Sequence, residues 1–210
     1  MAKADLVIFD FDGTLVDTAP DLIRAANLYL ELGRGRDALR HYEAVARLRP
    51  ASAAAFYNVG VALEASGRPG DAAPQYEAAL RLDPAYSLAH NNLGTLHLAA
   101  GRVGDARREY EAAVALGPRN AEAHNNLGAV LLASNDAAAA IAPLTRAIGL
   151  RPIYPEAHFN LARAYASTGQ LDAAIRTAAA AQTQAADAGK TDLLARIREQ
   201  LQIYRDAAKR

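Results

Sequence analysis

The chain has 210 residues, of which 23 are lysine or arginine and 23 are aspartate or glutamate, so its formal net charge at pH 7 is zero. That balance, without any basic tract, excludes nucleic acid and anionic membrane surfaces as expected partners. The chain contains no cysteine, which excludes disulfides and thiolate metal sites and fits the cytoplasmic location that we expect.

The first predicted element is a short apolar strand at Leu6–Phe11. Its flanking acidic residues do not fit a secretory signal, and no apolar run in the chain approaches the ~20 residues that span a bilayer. Residues 5–18 read DLVIFDFDGTLVDT. This motif resembles the first motif of the haloacid dehalogenase superfamily. The match continues into the following residues in the manner of phosphoglycolate-phosphatase-type members.

The resemblance implies roles for three residues of this segment. The position of Asp10 is the phosphoryl-accepting nucleophile and a magnesium ligand, that of Asp12 is the general acid/base, and that of Thr14 contacts phosphate. The family also needs residues on later strands, yet no strand-like run follows residue 18, so the first strand has no predicted partner strand. We expect 1–18 to be a remnant of such an enzyme. The alternative is a magnesium-dependent phosphatase, or a fragment of one, with Asp10 as its nucleophile.

From Ala19 onward, a 34-residue pattern returns five times, over 19–52, 53–86, 87–120, 121–154 and 155–188. The eighth position is always glycine or alanine, and the twentieth is always alanine. Within each copy, apolar residues recur at spacings of three and four on both sides of a glycine, or of Asn135 in the fourth copy. This spacing predicts two amphipathic helices joined by a tight turn.

The period and the small residues resemble the tetratricopeptide repeat (TPR) family. The resemblance implies an all-α fold: a right-handed α-α superhelix, or TPR solenoid, of five helix-turn-helix repeats. The first repeat overlaps the end of the segment that resembles the haloacid dehalogenase superfamily. The small eighth residue would let the second helix cross close to the first, with Tyr42, Tyr76 and Tyr110 filling the space beside it. A capping helix is expected within 190–210, with Thr191 or Asp192 as its N-cap. Its predicted apolar stripe is Leu193, Leu194, Ile197, Leu201 and Tyr204.

In TPR proteins the first helix of each repeat lines the concave groove. The sixth position is asparagine in four consecutive copies, at Asn58, Asn92, Asn126 and Asn160. An amide side chain both donates and accepts, so a ladder of amides could hold the backbone of an extended peptide. This resembles the asparagine ladder of O-GlcNAc transferase, including the phrase AHNNLG at 89–94 and 123–128. The alternative is that these asparagines are simply solvated. The fifth position, also predicted to face the groove, holds Tyr57, Asn91, Asn125 and Phe159.

The second-position residues and the histidines do not indicate a further binding site. The carboxylate clamp of some TPR domains needs lysine at the second position, which here is Ala54, Leu88, Glu122 and Glu156. The histidines at the fourth position, His90, His124 and His158, are one repeat apart and are expected to pack rather than bind metal. His97 is expected to be either a packed or an edge histidine, and His41 is expected to face solvent.

The sequence therefore predicts a noncatalytic scaffold that binds an extended peptide or a partner protein in its groove. It predicts no cofactor and no metal, magnesium belonging only to the phosphatase alternative.

Overall fold

A computed structural model of the chain describes Ile8–Phe9, Leu15–Val16 and residues 19–209. Two short strands, β1 (Ile8–Phe9) and β2 (Leu15–Val16), precede eleven helices in the described residues. The helices are α1 (Ala19–Glu31), α2 (Gly35–Leu48), α3 (Ala53–Ala65), α4 (Pro69–Leu82), α5 (Ser87–Ala99), α6 (Val103–Leu116), α7 (Ala121–Ala133), α8 (Ala137–Leu150), α9 (Pro155–Ser167), α10 (Leu171–Asp187) and α11 (Thr191–Ala207). The predicted all-α repeat architecture is confirmed.

The two strands pair with each other in antiparallel register, Ile8 opposite Val16 and Phe9 opposite Leu15. The expectation that the first strand has no partner strand is therefore wrong. The partner strand lies in the same motif, only six residues further along the chain. Asp10, Asp12 and Thr14 lie outside the described residues.

Each helix pair is joined by a residue in the left-handed backbone region. Gly33, Gly67, Gly101 and Gly169 have φ between 69° and 80°, and Asn135 has φ of 58°. Glycine tolerates this conformation because it has no Cβ, and asparagine is among the few other residues that adopt it. The predicted turns are confirmed at all five places.

The small eighth residue of a repeat sets the distance between its two helices. A Cβ atom built on Gly60 would lie 2.5 Å from Cε1 of Tyr76, and one built on Gly128 would lie 2.3 Å from Cγ of Leu144. Tyr76 and Leu144 are completely buried. The predicted close crossing of the two helices is confirmed at both positions.

The chain divides into two compact units, the first ending at Leu96 and the second beginning at His97. The main core of the first unit is formed by α1 to α5, with Ala26, Tyr42, Val59, Leu63 and Tyr76 among its buried residues. Pro74 lies inside α4 without ending it.

In the second unit, α11 covers the end of the last repeat. Ile197 packs with Phe159, Ala181 and Ala185, and Leu193 and Leu194 pack against this group. Leu201 and Tyr204 pack with Ala162, Ala174 and Ala178. The predicted apolar stripe of the capping helix is confirmed. Its predicted N-cap is wrong: Lys190 occupies the cap position without a side-chain hydrogen bond, and Thr191 is the first helical residue.

His41 is buried, with 5% of its surface exposed, and the expectation that it faces solvent is wrong. Its ring centroid lies 5.1 Å from that of Tyr29 on α1. The position of His41 on its own helix does not predict this burial, because the burial depends on contact with Tyr29 of α1.

Within the part of the chain that the structure describes, no helix combines the length and hydropathy needed to cross a bilayer.

Candidate functional site

The candidate site residues are the sixth residues of the first helices, considered separately in each compact unit. Asn58, Asn92, Asn126 and Asn160 are the sixth residues of α3, α5, α7 and α9, and each is half-buried. Two of them belong to each compact unit. The same register leaves all four amides half-buried, neither sealed in a core nor fully solvated.

In the first unit, the amide of Asn92 joins two tyrosines. Its Nδ2 donates to the hydroxyl of Tyr76 at 3.1 Å and to that of Tyr57 at 3.5 Å. Its Oδ1 accepts from Nδ2 of Asn91 at 3.3 Å. Tyr57 lies on α3, so this contact brings the first helices of two successive repeats together. Asn92 is held in one orientation by three neighbours.

Tyr76 is the centre of this group. Its hydroxyl donates to Glu64, and its ring centroid lies 5.7 Å from that of Tyr57. Burial raises the pKa of Tyr76 far above that of a free phenol, and the hydrogen bond to Glu64 raises it further. The phenol therefore stays neutral and acts as a fixed hydrogen-bonding group.

In the second unit, the side chain of Asn125 hydrogen-bonds to the amides of Asn126 and Asn160. Its Nδ2 donates to Oδ1 of Asn126 at 3.4 Å, and its Oδ1 accepts from Nδ2 of Asn160 at 3.0 Å. Asn125 also hydrogen-bonds to Tyr154, whose pKa is raised mainly by burial and is partly lowered by this bond. The sixth residues of α7 and α9 are thus linked through one buried amide.

The fifth-position residues differ in exposure from the sixth. Asn91, Asn125 and Phe159 are 2%, 7% and 4% exposed, whereas Tyr57 is half-buried. In this structure the buried amides therefore orient their sixth-position neighbours.

Tyr86 and Tyr154 are residues that sequence reasoning missed. Each is the last residue of a repeat: the ring of Tyr86 lies 5.2 Å from that of Tyr57, and Tyr154 bonds Asn125. Each thus supports the fifth-position residue of its own repeat. The signal was an aromatic at the thirty-fourth position of two repeats.

Sequence reasoning also missed that two arginines at the end of the second unit contact the same aromatic ring. The guanidinium carbons of Arg163 and Arg196 lie 6.0 Å and 5.6 Å from the ring centroid of Phe159. Arg163 donates to Oδ1 of Asn160 at 3.4 Å. Arg196 is the sixth residue of α11. Because α10 is three residues longer than the other second helices, Arg196 does not fall on the sixth position when the 34-residue repeat is counted onward.

The recurring histidines contact backbone carbonyl groups. Nε2 of His90 lies 3.1 Å from the carbonyl oxygen of Pro84, and Nε2 of His124 lies 3.1 Å from that of Pro118. In His158, Nδ1 lies 3.0 Å from the carbonyl oxygen of Tyr154. These contacts tie each first helix to the loop before it. Among the described residues, no three histidine, aspartate or glutamate side chains converge as a metal-binding group.

Helix pairs of nearly constant length, joined by left-handed turns and packed on their neighbours within each compact unit, define a helical-repeat protein. Tetratricopeptide repeat family models match residues 23–87, 91–152 and 131–197. The chain belongs to the tetratricopeptide repeat family.

Solved structures agree with this fold. MamA of Desulfovibrio magneticus RS-1 is 22% identical, with 82% of this chain and 97% of that chain covered and a TM-score of 0.68. TTC0263, a thermophilic TPR protein of Thermus thermophilus, is 24% identical, with 87% and 98% covered and a TM-score of 0.66. YrrB, described as a TPR protein with an unusual peptide-binding site, is 21% identical, with 87% and 92% covered and a TM-score of 0.65. No curated protein sequence matches the chain.

Proposed function

We propose that the chain is a noncatalytic, cytoplasmic scaffold that binds an extended peptide segment of a partner protein along its first helices. The observation that carries this proposal is the half-buried amide at the sixth residue of α3, α5, α7 and α9. The resemblance to the asparagine ladder of O-GlcNAc transferase supports the same interpretation. YrrB, which has the same fold, is described as having a peptide-binding site.

The amides suit a peptide backbone because each offers two donors and an acceptor. Asn92 is already oriented by Asn91 and two tyrosines, and Asn160 by Asn125 and Arg163. Groups fixed before binding lose little conformational entropy when the ligand arrives. A peptide group would share or replace one existing hydrogen-bond partner of Asn92, Asn126 and Asn160. The contacts reach main-chain atoms, so recognition depends little on the sequence of the partner.

The test is a selection of random twelve-residue peptides on the immobilised chain, followed by measurement of Kd for the selected peptides by fluorescence polarisation. Asn92→Ala combined with Asn126→Ala removes one amide from each unit. We expect Kd to rise at least about tenfold, because each lost hydrogen bond is worth roughly 0.5–1.5 kcal/mol and each amide makes more than one.

Two controls separate binding from folding. Gln75→Ala with Gln182→Ala removes two half-buried amides from second helices and should leave Kd unchanged. Tyr76→Phe removes one of the hydrogen-bond partners that orient Asn92 but keeps its amide, so its Kd should rise by less than that of the double asparagine variant. Unchanged Kd in the double asparagine variant, with helicity retained in all proteins, would contradict the amide ladder.

The phosphatase alternative rests on the sequence motif around Asp10 and Asp12. A carboxylate nucleophile attacks phosphorus only when a divalent cation offsets the converging negative charges, and that requires ligands beyond these two residues. Hydrolysis of p-nitrophenyl phosphate with magnesium, compared between the parent and Asp10→Asn, tests it directly. We expect equal background rates, and a rate that falls in the variant would establish the enzyme.

A further inference from the structure

One aromatic ring at the end of the second unit holds two arginines. Arg163 is the ninth residue of α9 and Arg196 is the sixth residue of α11, and both guanidinium groups lie within 6.0 Å of the centroid of Phe159. Phe159 is fixed in place by Ala181, Ala185 and Ile197. Because an aromatic ring attracts cations, Phe159 anchors both charges, each within 6.0 Å of its centroid.

Within the part of the chain that the structure describes, no ion pair offsets the positive charge of Arg163 and Arg196. Neither arginine forms one with a described residue, and Glu156 on α9 pairs with Lys190 at 2.6 Å instead. Arg163 uses one hydrogen bond, to Asn160, whereas a guanidinium group carries five N–H donors. Arg196 is exposed and Arg163 is half-buried, so a ligand can reach both.

We propose that Arg163 and Arg196 form a carboxylate-binding site, and that its occupant is an aspartate or glutamate side chain of the bound peptide. This rests on the proposed peptide-binding function and adds the chemistry of one partner residue. Arginine suits the role because its planar fork donates two parallel hydrogen bonds to a carboxylate. Arg196 also continues the register of Asn126 and Asn160, since all three are sixth residues of their helices. The bound peptide is then neutral along the amides and acidic at the end that meets α11.

The experiment compares the peptides selected from one random library by three proteins. These are the wild type, the double variant Arg163→Gln with Arg196→Gln, and the control Arg198→Gln, which removes an exposed arginine two residues further along α11. The readout is the frequency of Asp and Glu relative to Asn and Gln at each peptide position. Kd of one selected acidic peptide and of its amide counterpart is then measured at low and high salt.

We expect the wild type and the control to enrich an acidic residue at one position, with about tenfold tighter binding than the amide counterpart at low salt. High salt should narrow that ratio, because it screens exposed charges. The double variant should lose the acidic preference and still bind the amide peptide. Neutral peptides selected by the wild type without acidic enrichment overturn the carboxylate site alone. Failure of the wild type to select any peptide overturns both this site and the peptide-binding function.

Discussion

At the scale of single residues, two glycines determine how closely the helices of a repeat approach. The hydrogen of Gly60 faces the ring of Tyr76, and that of Gly128 faces the side chain of Leu144. Both partners are completely buried, so neither can move aside without disturbing the core around it. An added methyl group must therefore separate the helices or force a side chain from its preferred rotamer.

Gly60→Ala should lower the free energy of unfolding by about 1–3 kcal/mol, the usual cost of overpacking. The matched control is Gly70→Ala on α4, where an added Cβ would meet nothing within 4 Å. Alanine there should leave stability unchanged or raise it by up to about 1 kcal/mol, because alanine is the better helix former. Urea denaturation followed by circular dichroism measures both, and equal stability of the two variants would contradict the packing account.

The raised pKa of Tyr76 predicts that the free energy of unfolding depends on pH. Burial and Glu64 raise its folded-state pKa above the value near 10 of an unfolded phenol. Its contribution to stability is therefore complete below pH 10 and declines as pH rises above that value, because only the unfolded chain readily releases the proton. Tyr76→Phe should reduce the slope of unfolding free energy against pH above 10. An unchanged slope, measured by urea denaturation between pH 8 and pH 11, would contradict the assigned environment.

At the scale of elements, the sequence predicted what depends on local backbone chemistry. The left-handed turns, including Asn135, follow from residue type, and the stripe of α11 follows from helical spacing. The sequence did not predict features that depend on contacts with residues elsewhere in the chain. His41 is buried because Tyr29 lies opposite it, and Arg196 joins Arg163 because α10 is extended. The pairing of β1 with β2 was not predicted, because a two-residue strand carries too little alternation to be recognised.

The capping role of α11 can be tested with two aliphatic residues of that helix. Leu201 is 2% exposed and packs on α9 and α10, whereas Ile203 is 52% exposed. Leu201→Ala should cost about 2–5 kcal/mol through lost burial and the cavity left behind. Ile203→Ala should change stability by less than about 0.5 kcal/mol. Thermal unfolding compares them, and a similar loss in both would show that α11 does not cover the repeats as described.

At the scale of the whole molecule, stability is built from contacts between neighbouring helices. In such arrays each repeat depends mainly on its neighbours, so a local change has a local effect. The histidine contacts and the fifth-position residues fit this arrangement, since each links a helix to the next element of its own or the adjoining repeat. The sixth positions stand apart because their amides are the polar groups left half-exposed at the same register in four successive repeats.

The most direct measurement of the central claim is NMR of the side-chain amide groups during titration with a peptide selected on the chain. If the first helices bind the peptide as proposed, the NH₂ resonances of Asn58, Asn92, Asn126 and Asn160 should shift with one common Kd. Those of Gln75 and Gln182, on second helices, should stay in place. Shifts confined to the glutamines, or saturating binding that leaves all four asparagine resonances unmoved, would contradict it.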